Sequence, residues 1–411
     1  AGFVLLGWLG FAGTSVAAAA LNFSAAGLVW WAVRDTSGTI YTEPEARAAP
    51  APDRSVSLEE PGGKDLTRLA RILLPVAFGT ALASFAYEIG WIRMLSLLLG
   101  SATHAFELML SAFILGLALG AWVVRRRADD APAPLRSLGW VQVAMGLAAL
   151  ASLPVYAASF DVVVALVNGT QDTRGGYMLF NLGRYALALS VMLPATVLAG
   201  MTLPLLTASL LRAGAGERAI GRVYAVNTVG AVVGSIVAGL VALPILGLKG
   251  LLVAGAALDV SLGIWLLAST SAPRMAVALL LCAVAFPTVG WGVQLDQLVM
   301  TGGVFRDAVI PEEGSRQLLY YQDGRTATVS AHMAVPEGVT VLSTNGKPDA
   351  SVGPFWRIER RDTLPPSPIP SGSDFSTQML SGLVGLAHKA DAARVANVGH
   401  GSGITGATLL T

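Results

Sequence analysis

The stretch Arg394-Val-Ala-Asn-Val-Gly-His-Gly-Ser-Gly-Ile-Thr-Gly-Ala-Thr-Leu-Leu-Thr411 carries three alternating glycines between a short apolar run and a helix-like segment. Gly399, Gly401 and Gly403 let the backbone turn sharply and approach a ligand, and a following helix turns its positive end toward it. The pattern predicts the opening of a nucleotide- or adenosyl-binding doubly wound domain. The plainer alternative is a turn kept only for helix–strand packing. A second group of candidates lies inside apolar runs: Glu88, Arg93, His104, Glu107, Asn181, Arg184, Asn227 and Asp259. An ionisable group in a membrane span is expensive to bury, so each is a functional candidate by default. Arg93, His104 and Arg184 lie near run ends, where a long polar side chain can reach the interface. Glu88 and Arg93 are five apart, off one helix stripe, so Glu88 or Glu107 is expected to pair with a basic residue of another helix. Substrate or proton handling is the alternative. His332 and His388 stand alone, and Cys282 is the sole cysteine. Neither a metal site, a disulfide framework nor a Ser/His/Asp or Cys/His catalytic set is expected.

What positions these residues is a membrane domain. The chain is 54% hydrophobic and 13% charged, with a mean hydropathy of +0.63. Apolar runs of about 20 residues, enough to cross a hydrocarbon core of ~30 Å, recur over the first three-quarters. The net charge of +1 says nothing about nucleic acid, and no basic cluster interleaved with aromatics suggests such a partner, so none is expected. The expected partner is the lipid bilayer of a bacterial-type cytoplasmic membrane, crossed many times. Helices are expected over Ala1–Val33, Ile72–Leu99, His104–Val124, Leu138–Phe160, Met178–Leu211, Val223–Leu246, Leu248–Ala268 and, shorter, Met275–Leu295. Pro194 and Pro204 are expected to kink the long fifth of these. Residues 34–71 read as a hydrophilic linker, rich in Pro and Ala from Glu43 onward.

Ala1-Gly-Phe-Val-Leu-Leu-Gly-Trp-Leu-Gly-Phe-Ala-Gly aligns without gaps on Ala238-Gly-Leu-Val-Ala-Leu-Pro-Ile-Leu-Gly-Leu-Lys-Gly, and the match runs on to Asn22 over Asp259 and Ser24 over Ser261. An internal duplication is expected. Residues 1–33 then form the last helix of a truncated first half, and 72–270 a complete six-helix second half. Two six-helix halves joined by a hydrophilic linker resemble the major facilitator architecture. Arg125-Arg126-Arg127 and Arg212, Arg218 and Arg222 share one side, which should be cytoplasmic; the Gly247–Gly250 turn then faces outward. Residues 271–296 form either a further crossing or a re-entrant helix, and the choice decides the side on which everything downstream lies.

After Leu295 the texture changes. Gln317–Gln322, Thr326–Met333 and Val339–Thr344 alternate and are β-branched, with Asp323-Gly324, Pro336-Glu-Gly338 and Asn345-Gly346 as turns. Residues 297–352 therefore read as an antiparallel β-hairpin domain. Residues 353–411 read as a Pro/Ser-rich insertion, a helix over Phe375–Ala387 with Asp374 as a natural N-cap, and the start of a Rossmann-like domain. The expected fold is thus a mainly α-helical polytopic membrane domain followed by these two smaller pieces.

Tyr321-Gln322-Asp323, Asn345-Gly346-Lys-Pro-Asp349, Asp374-Phe-Ser-Thr377-Gln378 and Gly399-His-Gly-Ser402-Gly403 together resemble the spermidine synthase (polyamine aminopropyltransferase) family. Tyr87-Glu88-x-x-Trp91-x-Arg93 and Asn227-Thr228-x-Gly230 resemble its membrane-fused branch. The resemblance implies transfer of an aminopropyl group from decarboxylated S-adenosylmethionine, or use of S-adenosylmethionine itself, with a polyamine-type amine as substrate. It assigns Gln322, Gly399, Gly401, Ser402 and Gly403 to the cofactor and Asp349, Asp374 and Gln378 to the substrate. The catalytic base is expected beyond Thr411. Ser402 replaces the family's glycine-loop acid, Thr377 its substrate-facing tyrosine and Asp349 the glutamine after Asp-Gly. A degenerate relative, a transporter-like protein, or a scaffold subunit of a larger membrane complex is therefore the alternative.

Overall fold

The structure, a computed structural model, describes residues 5–34, 63–101, 103–125, 133–170, 173–216, 218–270, 274–353, 375–389 and 391–410. The chain divides into two units, Ala1–Gly63 and Lys64–Thr411. Asp374, residues 35–62 of the linker and the insertion at 364–373 lie outside the described residues.

In the second unit, α2 (Gly63–Leu99), α3 (Thr103–Arg125), α4 (Pro134–Gly169) and α5 (Arg174–Arg212) follow one another. α6 (Arg218–Val237) continues through a π-type stretch, Ala238–Ala242, into α7 (Leu243–Ser269), and α8 (Met275–Gly292) follows. Six helical runs among the described residues are long and apolar enough to cross a membrane: Thr67–Leu99, Ala105–Arg125, Pro134–Gly169, Arg174–Arg212, Arg218–Ser269 and Met275–Gly292. The chain is thus a multi-pass membrane protein. Pro194 and Pro204 sit inside α5 without ending it, so its 39 residues form one helix of about 58 Å. Where helices press closest the contact is glycine: a Cβ on Gly120 would lie 1.9 Å from the Val197 carbonyl oxygen, and one on Gly200 2.2 Å from that of Leu117. Small residues of this kind let α3 and α5 bring their backbones together.

The 52-residue run Arg218–Ser269 is too long for a single crossing, and Gly247 divides it. Neighbours across α2 give the directions. Gly230 and Gly234 lie against Phe78 and Leu82, so α6 runs parallel to α2; Gly79 and Gly90 lie against Leu262 and Leu252, so α7 runs antiparallel. The chain therefore reverses at Gly247, whose φ of 68° and ψ of 179° are open essentially to glycine alone.

In the first unit α1 (Leu5–Arg34) is interrupted in the same way, at Gly10, with φ 65° and ψ −178°. The likeness extends three residues on. A Cβ on Gly13 would lie 2.8 Å from Leu9 Cβ, and one on Gly250 2.8 Å from Leu246 Cβ. Gly10 and Gly13 are the residues that align on Gly247 and Gly250, so the sequence repeat is also a repeat of backbone geometry. The single helix expected over Ala1–Val33 is broken at Gly10, because the backbone there leaves the helical region altogether. Gly247→Ala is expected to cost about 1–3 kcal/mol by forcing a side chain into that conformation. Thermal unfolding in detergent would show it as a lowered midpoint, whereas Gly292→Ala, with open space at its Cβ, should leave the midpoint unchanged.

α8 lies along α7 in the opposite sense. Ala278 and Cys282 pack in one cluster with Leu267 and Val260, and at the other end Lys249 Nζ donates to the carbonyls of Gly290 (2.8 Å) and Val293 (2.6 Å). The helix therefore runs the length of its neighbour and does not turn back. After α9 (Gln297–Thr301) and α10 (Val304–Asp307), a four-stranded antiparallel sheet forms in the order β1-β2-β3-β4: Arg316–Asp323, Thr328–Ala334, Thr340–Thr344 and Lys347–Val352. Asn345 and Gly346, both at positive φ, make the two-residue turn joining β3 to β4. β4 is a fourth strand that the sequence reading passed over. Its Pro348 argues against a central strand but is tolerated at a sheet edge, beside the irregularity between Leu342 and Ser343. The strand expected before the glycine loop does not form; residues 391–400 are irregular and Val398 is fully exposed. A lone strand without a hydrogen-bonded neighbour has nothing to hold it extended. α11 (Phe375–His388) and α12 (Ile404–Leu409) flank that loop.

Candidate functional site

A cavity of about 440 Å³ lies where the sheet meets the helix bundle, lined by the Gly247 turn, Lys249, Gln297 and the Tyr321-Gln322-Asp323 segment. Tyr321 and Asp323 of this lining belong to a polar network centred on Arg93, which is 6% exposed. One guanidinium nitrogen donates to the Thr326 carbonyl (3.0 Å) and to Asn345 Oδ1 (3.1 Å), and the other to the Thr328 hydroxyl (2.8 Å). Thr328 passes the chain on to Asp323 Oδ1 (2.8 Å), which also accepts from the Tyr321 hydroxyl (2.9 Å). The second Asp323 oxygen accepts from the Leu248 amide at 3.2 Å, on the first residue after the Gly247 reversal. Burial, and then the neighbouring Asp323 carboxylate, hold the Tyr321 phenol well above its ordinary range, so it stays a donor. One arginine thus joins α2 to two turns of the sheet, and one aspartate joins the sheet to α7.

This corrects the expectation that Arg93 only reaches toward the membrane surface. It is buried because the sheet closes over it. Arg184 does serve a helix end: it donates to the Leu99 carbonyl (2.6 Å) at the C-terminus of α2, where a cation is favoured.

The residues assigned to cofactor and substrate fall into separate groups. Gln322 donates to the Pro244 carbonyl (3.2 Å) and faces the junction cavity. Asp349 is exposed on the edge strand β4. Gln378 and Ser402 are brought together: the Ser402 hydroxyl donates to Gln378 Oε1, and the Thr405 hydroxyl donates to the Gln378 carbonyl (2.9 Å). Gly399, Gly401 and Gly403 all adopt positive φ (92°, 53° and 79°), the region that favours glycine. Chain comparisons add no identity. No protein-family model, curated protein or solved structure matches the chain. Among the described residues no group of three or more His, Cys, Asp or Glu could hold a metal.

Within the bundle, Asp259 is wholly buried and its Oδ2 accepts from the Tyr87 hydroxyl at 2.6 Å. Tyr87 stacks on Trp91 (5.4 Å between centroids), whose indole nitrogen donates to Ser152 (2.9 Å). Sequence reasoning singled out Asp259 but not this chain; aromatic residues four apart on α2 were the available signal. The expected interhelical ion pair of Glu88 does not form among the described residues. Its carboxylate lines a second, smaller cavity. Glu107 sits in the first turns of α3 and is not part of that lining.

In the sheet, burial lowers the His332 imidazole to about 4, with the nearby Arg316 charge adding to the effect. A folded value below the unfolded ~6.5 means that the unfolded chain takes up the proton first. Sheet stability should therefore be full above pH ~6.5 and fall toward pH 4, by up to about 3 kcal/mol. Amide exchange of β2 measured across that range would show the loss, and His332→Gln should flatten it.

Proposed function

We propose that the chain is a membrane-embedded relative of the spermidine synthases that holds its synthase-like domain against the non-cytoplasmic face of the membrane. There it acts as a scaffold subunit without aminopropyl transfer. The observation that carries this reading is the course of α8. It runs the full length of α7, so the sheet lies at the bundle end marked by Gly247 and Leu99. The opposite end carries Arg68, Arg71, Arg125, Arg136, Arg212, Arg218, Arg222 and Arg274, against Arg93, Arg174, Arg184 and Lys249 at the sheet end. Such a bias marks the arginine-rich end as cytoplasmic. A domain on the other side has no access to a cytoplasmic sulfonium donor.

Two further features support it. Gln322 donates to the Pro244 carbonyl of α7, leaving it committed to the junction. Ser402, where the resembling enzymes carry an acid, is hydrogen-bonded to Gln378 and brings no charge to an amine. The glycine loop is read as the opening of a Rossmann-like domain, and the bundle as one half of a major-facilitator-like pair, the latter supported by the matching turns at Gly10 and Gly247.

The test is direct. The full-length protein in lipid nanodiscs, supplied with decarboxylated S-adenosylmethionine and a diamine, is expected to release none of the thioether that displacement at the sulfonium would leave. Thioether release that Gln378→Ala abolishes would overturn the proposal.

A further inference from the structure

The second cavity, about 170 Å³, lies inside the membrane-spanning bundle among α2, α3, α5 and α6. Thr80, Ser84 and Glu88 line it from a single stripe of α2, four residues apart, and Asn227 faces them from α6. None of Ser84, Glu88 and Asn227 has a hydrogen-bond or ion-pair partner among the described residues. That is a costly arrangement. All three are half-buried, so a hydroxyl, a carboxylate and an amide of the membrane-spanning bundle give up part of their hydration with no protein partner in exchange. Several polar side chains of this bundle are engaged, Tyr87 with Asp259, Trp91 with Ser152, and Gln142 with Thr80 at 3.2 Å, although the buried Tyr156 hydroxyl has no partner. This cavity brings three unpartnered side chains together.

We propose that this cavity binds a small aliphatic primary ammonium ion, with Glu88 as its counter-charge. The chemistry of the wall selects that class. Glu88 is the one ionisable residue of the lining, so a bound group of charge +1 neutralises it. An ammonium has three N–H donors, and Glu88, Ser84 and the Asn227 amide oxygen are three acceptors. Phe85 and Phe113 add aromatic walls, which attract a cation through the ring face. A divalent metal would need about six or more oxygen ligands at close range, and one carboxylate does not furnish them. At the ~30 Å³ that a water occupies in the liquid, the cavity has room for about five non-hydrogen atoms. The fit is therefore to an ammonium on a short alkyl chain. The site lies within the bundle, so the proposal does not depend on which side of the membrane holds the sheet.

Calorimetry of the full-length protein in nanodiscs tests it, with n-butylammonium as the probe and n-butanol, sodium and tetramethylammonium as comparisons. Saturable heat is expected for n-butylammonium alone of the four. Glu88→Gln should weaken binding at least tenfold while the unfolding midpoint stays within a few degrees of the parent. Should Glu88→Gln fail to fold, Asn227→Leu, which fills the cavity and removes one acceptor, is expected to abolish the heat in a folded protein. Absence of heat with n-butylammonium, equal binding of sodium, or undiminished binding by a folded variant would each overturn the proposal.

Discussion

Arg93→Ala is expected to release the sheet from the helix bundle while leaving the bundle folded. The substitution removes the donor shared by the Thr326 carbonyl, Asn345 and Thr328, and indirectly the support of Asp323. Asp323 is 4% exposed and Thr328 fully buried, so water cannot readily take the lost donor's place. Removing one member of a buried charged network costs about 3–5 kcal/mol, most of it from the groups left behind. Hydrogen exchange of the full-length protein should show residues 316–352 losing protection together while α4 and α5 keep theirs. Arg93→Lys retains the charge but not the planar fork that reaches two turns at once, so an intermediate loss is expected. Equal protection of the sheet in Arg93→Ala would mean that the polar network contributes little to the junction.

The second large effect belongs to the centre of the bundle. Tyr87→Phe removes one oxygen atom, yet it deprives Asp259 of its hydrogen bond, since the other carboxyl oxygen has no partner. A loss of about 2–4 kcal/mol is expected from leaving a buried acid unsatisfied. The double variant Tyr87→Phe with Asp259→Leu should recover most of it, because both polar groups then go together. Unfolding in detergent, carried through the full double-mutant cycle, measures the coupling; additive effects of the two substitutions would show that the bond does not link them. Gly255 belongs to the same account. A Cβ there would lie 2.8 Å from the Tyr87 ring, so Gly255→Ala should displace the tyrosine and reproduce part of the loss.

The membrane helices were readable because an apolar run of the right length has few other fates in water or lipid. The reversal at Gly247 was readable too, as a glycine between two apolar runs, but the aligned Gly10 was read as lying within one helix. The junction was not. Arg93 lies 233 residues from Thr326 and 252 from Asn345, and no local pattern joins them. From sequence alone Arg93 is a cation near the end of a span, and its burial follows from a sheet that forms far along the chain. β4 was hidden by Pro348, since its being an edge strand depends on the topology of the whole sheet. The reverse error occurred at Arg394–Val398, where a short apolar run suggested a strand but no strand pairs with it among the described residues. Glu88 stood out in the sequence as a carboxylate inside an apolar run. Its surroundings, Ser84 one turn before it and Asn227 on another helix, could be assembled only once α2 and α6 were known to run side by side.

The face on which the sheet sits is tested most directly by paired reporter fusions joined in frame at Val352 and, as a reference, at Ala213 between α5 and α6. In a bacterial host, alkaline phosphatase at Val352 is expected to be active and green fluorescent protein at the same position dark. At Ala213 the two reporters should behave the opposite way. Fluorescence at Val352 together with an inactive phosphatase would put the sheet in the cytoplasm and contradict the account.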